Sequence, residues 1–279
     1  MTQPSPPRTR RSVLLALPAS LLAGGRAFAD QSLWERSALN QIVKRGELRV
    51  GLDAGYVPFE MRDKKGNVIG FDVDLARLMA RYMGVKLNVV NTAWDGIIPA
   101  LLTDKFDLIM GGMTITPERN LQVNFSDPYV TIGQTALIRK NLVTVVTKHT
   151  QLDDPKYTIA TKLGTTGDIA ARKFFPKAKI KAYEAESEAT LEVRNGRADA
   201  FIYDLPYNAV YAARYPNDVS LLLPTFTQEP LGWAVRKGDP DFLNWLNNFL
   251  RVARADGSYD ALYHKWFEGT SWLQNLGGG

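Results

Sequence analysis

The run 111–119, Gly-Gly-Met-Thr-Ile-Thr-Pro-Glu-Arg, carries the densest set of groups able to hold an anion. Gly111 and Gly112 let the backbone approach a ligand closely, and Thr114 offers a hydroxyl. Thr116, Pro117 and Glu118 read as a helix cap, a proline at the first helical position and a first-turn acid. Arg119 then stands where its guanidinium could grip a carboxylate through two hydrogen bonds, assisted by the free N–H groups and dipole of that helix. In isolation Arg119 reads better as a solvated first-turn side chain, with the glycines only making a turn. A second turn, Lys162-Leu163-Gly164-Thr165-Thr166-Gly167, has the same glycine and hydroxyl character and could turn its N–H groups to the same anion.

Carboxylates supply the opposite charge. Asp204 follows the apolar run 200–203 and precedes Pro206, which puts it at the carboxyl end of a strand, where open α/β sheets bind ligands. There it could hold an ammonium group, or it could cap the helix that begins at Pro206. Asp53 follows the first apolar run and is trailed by Tyr56, Pro58 and Phe59, with Trp94 later standing before Asp95-Gly96. Each aromatic alone would pack into a core, but together they make a flat-walled slot with an acid at its far end.

The elements that position these groups alternate in type. Residues 48–52 read as a buried strand, 71–82 as a helix stopped by Gly84, and 86–90 as a second strand, a βαβ unit. A helix over 97–102 and a strand over 108–110 continue the pattern. It restarts near Gln134 with a strand over 158–161, a helix over 168–175, a helix ending over 191–195 and a strand over 200–203. The segments 241–255 and 259–267 are helical by spacing, separated by an Asp256-Gly257 turn and followed by a frayed glycine tail, 277–279. The pattern predicts an α/β protein with two lobes.

Composition narrows the chemistry. Cysteine is absent and the histidines are His149 and His264, which excludes zinc-thiolate sites, disulfide frameworks and Cys/His catalysis. No cofactor or metal is expected. The start of the chain has the order of a secretory signal: Arg8, Arg10 and Arg11, an apolar run over 13–23 broken by Pro18, and Ala27-Phe28-Ala29 before Asp30. Such a run is too short for a span that needs about 20 apolar residues. A signal peptide over 1–29, cleaved after Ala29, implies a periplasmic protein, and Arg10-Arg11 also fits the twin-arginine export route. Four of the 34 basic residues, Arg8, Arg10, Arg11 and Arg26, fall in this leader, leaving 30 against 29 acidic ones. A mature charge of +1 without a basic run disfavours nucleic acid as a partner.

Seven segments in order resemble the periplasmic polar amino-acid-binding proteins of ABC importers, solute-binding protein family 3. They are 53–59, Gly70-Phe71-Asp72-Val73-Asp74-Leu75, 94–101, 112–119, Phe125-Ser126-Asp127-Pro128-Tyr129, Arg197-Ala198-Asp199-Ala200, and Asp256-Gly257-Ser258-Tyr259 with Lys265-Trp266-Phe267. The pattern is most similar to the glutamine-binding and the lysine/arginine/ornithine- or histidine-binding proteins. The resemblance implies a type II, Venus-flytrap fold with two hinge strands, about 129–133 and 227–231. One discontinuous lobe would comprise 30–129 plus 232–279, and the other 134–226. It further implies that Arg119 pairs with a ligand α-carboxylate, helped by the hydroxyl and N–H of Thr114 and the N–H of Thr166. Gly112 C=O and Asp204 would receive the α-ammonium, Tyr56 and Trp94 would sandwich the side chain, and Asp53 would meet its distal polar group.

Asp53 disfavours acidic side chains and suits a guanidinium, ammonium or amide donor. Lys162 matches a lysine near the side-chain end in the glutamine-binding relatives, and a neutral amide would satisfy both Asp53 and Lys162. Glutamine is therefore the leading expectation, with arginine, lysine and histidine open should Lys162 extend to solvent. The resemblance implies a receptor, not an enzyme, delivering a free amino acid to an inner-membrane permease complex, and nothing in the sequence argues against a monomer. The alternatives are a soluble ligand-sensing protein and the cyclohexadienyl or arogenate dehydratase branch of the fold. That branch adds a general acid shortly after the aspartate matching Asp204, where this chain has Tyr207, a poor proton donor near neutral pH.

Overall fold

A computed structural model of the chain describes residues 1–3 and 35–276. The expected cleavage after Ala29, the apolar leader segment and the tail 277–279 lie outside the described residues. Contacts separate Met1–Arg36, whose first three residues are exposed and irregular, from Ser37–Gly279, which carries all the elements below.

Helix α1 (Ala38–Arg45) leads into β1 (Glu47–Leu52), and a hairpin of β2 (Met61–Arg62) and β3 (Val68–Ile69) precedes α2 (Phe71–Met83). The spacing of Phe71, Leu75, Leu78 and Met79 winds α2, because those side chains fall on one stripe and all are buried. Gly84 ends the helix in the left-handed conformation, its N–H returning to Ala80 and Arg81 carbonyls. Strand β4 (Lys86–Asn91), helix α3 (Ile97–Leu102), strand β5 (Leu108–Ile109), the short α4 (Pro117–Asn120) and β6 (Asn124–Phe125) follow. Strand β7 (Val130–Ile132) leads on to β8 (Gln134–Arg139), β9 (Thr158–Lys162), α5 (Thr166–Phe174), β10 (Lys179–Tyr183), α6 (Glu186–Arg194), β11 (Ala200–Asp204), α7 (Leu205–Arg214) and β12 (Val219–Leu222). The chain returns through β13 (Glu229–Leu231) and β14 (Ala234–Val235) to α8 (Pro240–Ala255) and α9 (Ser258–Tyr263).

Two five-stranded sheets result, ordered β4-β1-β5-β14-β6 and β10-β9-β11-β8-β12. In the first, β4, β1 and β5 are parallel, as βαβ crossovers require, while β14 enters antiparallel between β5 and β6. In the second, β10, β9 and β11 are parallel, and β8 and β12 complete it antiparallel. Between the sheets, β7 pairs antiparallel with β13, Val130 opposite Leu231 and Ile132 opposite Glu229. Among the described residues no helix is long and apolar enough to cross a membrane.

The elements follow the sequence expectation with shifts at their ends. The helix expected over 168–175 starts at Thr166, because Thr165 caps it by accepting the Asp168 N–H. The helical stretch expected over 259–267 ends at Tyr263 and continues as a wider π-type turn, His264–Glu268, closed by a 2.7 Å bond from Gly269 N to His264 O.

Candidate functional site

The strand ends of the first sheet supply one wall of a cavity. Beyond β1, Asp53 and Tyr56 sit on a loop pinned to the start of α2, where Phe71 N and Asp72 N donate to the carbonyls of Pro58 and Phe59 at 3.0 Å. The contact demands Gly70, whose φ is +143° and whose Cβ would lie 2.1 Å from Phe59 O. The same loop carries Glu60, 1% exposed. Tyr56 is buried, its ring stacked on Phe59 at 4.6 Å. Beyond β5, Gly112 adopts φ +61°, and a Cβ there would fall 2.2 Å from Tyr56 Cε1. Its N–H donates to the buried Asp72, which also receives the Tyr129 hydroxyl. Thr116 caps α4 by accepting Arg119 N, and the Arg119 side chain folds back so that Nη1 donates to Thr114 O at 2.9 Å.

The second sheet supplies the opposing wall. Lys162 ends β9, and its ammonium lies 2.7 Å from both Asp53 and Glu186. At the end of β11, Asp204 accepts from the Tyr56 hydroxyl and from the Gln134 amide, each at 2.5 Å. Gly164 O accepts from Trp94 Nε1 at 3.1 Å and Arg119 Nη2 at 3.3 Å. The Arg119 guanidinium lies 5.4 Å from the Trp94 ring centre, and the Lys162 ammonium 5.9 Å. Asp53, Tyr56, Trp94, Gly112, Thr114, Arg119, Lys162, Thr166 and Asp204 all line this one cavity, of about 10 Å³. That is room for about one water molecule.

Burial and charge set the protonation of these groups. Asp204 is pushed up to about 7, chiefly by burial and then by Glu229, against the stabilising bonds from Tyr56 and Gln134. Asp72 also rises to about 7 through burial. Glu60 is driven well above the usual carboxylate range by burial and by Asp72 and Glu186. Burial pulls the Lys162 ammonium down, but Glu186 and Asp53 more than offset this and the net shift is upward.

Several expectations change. Lys162 does not extend to solvent: its side chain is 1% exposed. Asp204 makes no side-chain bond that caps α7, where Leu205 N donates instead to Gly133 O. The helix opened by Pro117 is only four residues long, so a helix dipole adds little to Arg119. The Thr114 hydroxyl, which the resemblance directs to a ligand α-carboxylate, donates here to the carboxylate of Glu229 at 2.9 Å, and the Thr166 hydroxyl does so at 2.5 Å.

Sequence reasoning missed Glu60, Glu186 and Tyr203 among the lining residues, and Glu229 and Gln134 behind them. Tyr203 was within reach: its position beside Asp204 at a strand end was a usable signal, and its hydroxyl donates to Glu186 at 3.0 Å. Among the described residues no group of three or more histidines and acids is arranged to hold a metal ion.

Known proteins share this layout. Residues 48–269 match the bacterial extracellular solute-binding proteins, family 3. A probable histidine-binding protein of Neisseria gonorrhoeae is 37% identical over 225 residues, 78% of this chain and 82% of that one. A solved structure of a putative binding component of an ABC transporter from Wolinella succinogenes, complexed with lysine, is 57% identical, with a TM-score of 0.80 over 82% of this chain and 99% of that chain. The ancestral amino acid-binding protein AncCDT-1, a precursor of cyclohexadienyl dehydratase, is 52% identical, with a TM-score of 0.79 over 83% and 100% of the two chains.

Proposed function

The chain belongs to the bacterial extracellular solute-binding proteins, family 3, and on that premise we propose that it is an extracytoplasmic receptor that encloses one free amino acid with a cationic side chain and delivers it to an ABC importer. Arg119 takes the α-carboxylate with backbone N–H groups of Thr114 and Thr166, and Asp204 with Gly112 C=O takes the α-ammonium. Trp94 and Tyr56 flank the side chain. Its two-lobed α/β fold brings these groups from opposite sheets, so only the closed form makes every contact.

The observation that carries the choice of side chain is the charge at the distal end of the cavity. Asp53, Glu60 and Glu186 gather there around a single ammonium, Lys162, which is already bonded to two of them. An amide oxygen would have to draw on Lys162, which already gives two of its three N–H donors, and its charge, to Asp53 and Glu186. A guanidinium, ammonium or imidazolium instead supplies the charge the acids lack, so basic side chains are favoured over glutamine. The solved relative bound to lysine supports this reading.

We also take 30–129 plus 232–279 and 134–226 as the two lobes, with 129–133 and 227–231 as the hinge. Sheet membership supports these bounds, since β7 and β13 pair with each other and with neither sheet. Periplasmic placement rests on the leader, and we take the receptor to act as a monomer. A dehydratase is the second reading, favoured by the likeness to AncCDT-1. Against it, Tyr207, which stands where that branch has its acid, does not line the cavity, and burial raises its hydroxyl further above neutrality.

Calorimetry of refolded, ligand-free protein against the twenty amino acids tests the proposal. Tight binding confined to lysine, arginine or histidine is expected. Binding of none of them, or turnover of prephenate or arogenate, would overturn it.

A further inference from the structure

Among the described residues that line the cavity, Glu60 has a buried carboxyl oxygen, Oε2, that meets no hydrogen-bond donor. The residue is 1% exposed, so bulk solvent does not reach it. Its Oε1 lies against the backbone at Gly111, 3.1 Å from where a Cβ would be. The charged groups around it come from four directions: Asp53 beyond β1, Asp72 on α2, Lys162 on β9 and Glu186 on α6. Three are acids, and the one cation is bonded to Asp53 and Glu186. A carboxylate at Glu60 therefore has no counter-charge of its own, and a buried unpaired charge is costly.

We propose that Glu60 senses the charge on the ligand's side chain: a cationic side chain displaces the proton that Glu60 holds in the free receptor, and a neutral side chain leaves that proton in place. The inference rests on the amino-acid-receptor reading above. With Lys162 as its one neighbouring cation, shared with Asp53 and Glu186, Glu60 keeps its proton, in keeping with the upward push from burial, Asp72 and Glu186. When an ammonium or guanidinium arrives, the carboxylate form gains a partner, and the proton passes to solvent. Lysine would then bind with release of about one more proton than glutamine, and its affinity would gain on that of glutamine by up to about tenfold per pH unit while Glu60 is still protonated in the free protein.

Two other acids titrate nearby and must be separated from Glu60. Asp204 faces the α-ammonium common to all amino acids, so its proton is released equally for lysine and glutamine and cancels in their difference. Asp72 does not line the cavity and is bonded to Gly112 N and the Tyr129 hydroxyl.

The test is isothermal titration of lysine and of glutamine into the full chain, at several pH values around neutrality, in buffers of different ionisation enthalpy, which counts protons released. The wild-type protein should release more protons with lysine than with glutamine. In Glu60→Gln the lysine count should fall to that of glutamine. Equal counts in the wild type, or an excess that survives in the variant, would overturn the proposal. If the variant does not fold, the wild-type difference decides; if glutamine does not bind, the lysine count in wild type against variant decides. Failure of every amino acid to bind is a different result, which removes the receptor reading itself.

Discussion

Lys162→Met removes the ammonium from the centre of the cavity and leaves an unbranched stem of similar length to fill the space. Lys162 is 1% exposed and lies 2.7 Å from both Asp53 and Glu186. Deleting one partner of a buried ion pair costs about 3–5 kcal/mol, because the charge left behind stays buried and unpaired. Asp53 is 23% exposed, so water screens part of its share, and the low end of that range, about 3 kcal/mol, applies. In a chain of this size each kcal/mol moves the melting temperature by about 2–4 °C, so the ligand-free variant should melt about 6–12 °C below wild type. Added lysine brings an ammonium back to the same acids. A single pair at 4 Å is worth about 4 kcal/mol in an effective dielectric of about 20, most of it offset by desolvation. A surplus of about 1.4 kcal/mol would widen the preference for lysine over glutamine about tenfold. Thermal shift with and without lysine, followed by competition calorimetry, measures both effects. A melting temperature within about 1 °C of wild type, together with an unchanged preference, would refute the idea that Lys162 neutralises this nest.

Arg119→Ala should weaken every amino acid by about 2–5 kcal/mol, because the carboxylate loses its only guanidinium, whereas Asp53→Ala should shift the ratio of basic to neutral ligands more than it lowers affinity. Titration calorimetry of both variants decides, and unchanged affinity in the first would refute the site. Asp204, raised to about 7, keeps its proton in the folded protein over a range where the unfolded chain, with a carboxyl near about 3.9, has lost it. Its contribution to stability is therefore present below about pH 4 and is lost as pH rises through about 7, and Asp72, also near 7, acts in the same sense. Asp204→Asn should flatten part of the fall in melting temperature over that interval, and an unaltered profile would count against the assignment. Amino-acid binding, which needs the carboxylate, should tighten over the same rise in pH. Gly112→Ala should cost about 1–3 kcal/mol, since φ is +61° and its Cβ would press on a Tyr56 ring already fixed by Phe59 and Asp204. Denaturant melts together with a ligand titration measure this loss, which should be accompanied by weaker binding.

The parts of this architecture legible in the sequence are those governed by local spacing. Phe71, Leu75, Leu78 and Met79 announce α2, and the turn after β5 announces Arg119 through the types of residue it holds. Residues whose importance depends on what lies across the molecule were not legible. Glu60 follows Phe59 in a stretch that reads as ordinary loop, and only the arrival of α6 and β9 turns it into a buried acid among acids. Glu229 reads as one polar residue before Pro230, yet it gathers the hydroxyls of Thr114, Thr166 and Thr227. Asp72 reads as a first-turn acid favourable to a helix dipole, and instead serves Gly112 and Tyr129 from the interior. Apart from Thr227, two residues from Glu229, the bonded partners of Glu229 and Asp72 lie 40 or more residues away in sequence, beyond any periodicity.

The placement of β14 has a bearing on the order in which the molecule can be assembled. Every strand of the second sheet lies between Gln134 and Leu222, so that sheet has all its partners once this stretch is available. The first sheet, begun far earlier at Glu47, leaves β5 and β6 without the strand that joins them until Ala234 and Val235 arrive. A chain emerging from its N-terminus thus completes the later half before the earlier one, and a truncation just short of Ala234 would spare one sheet while splitting the other.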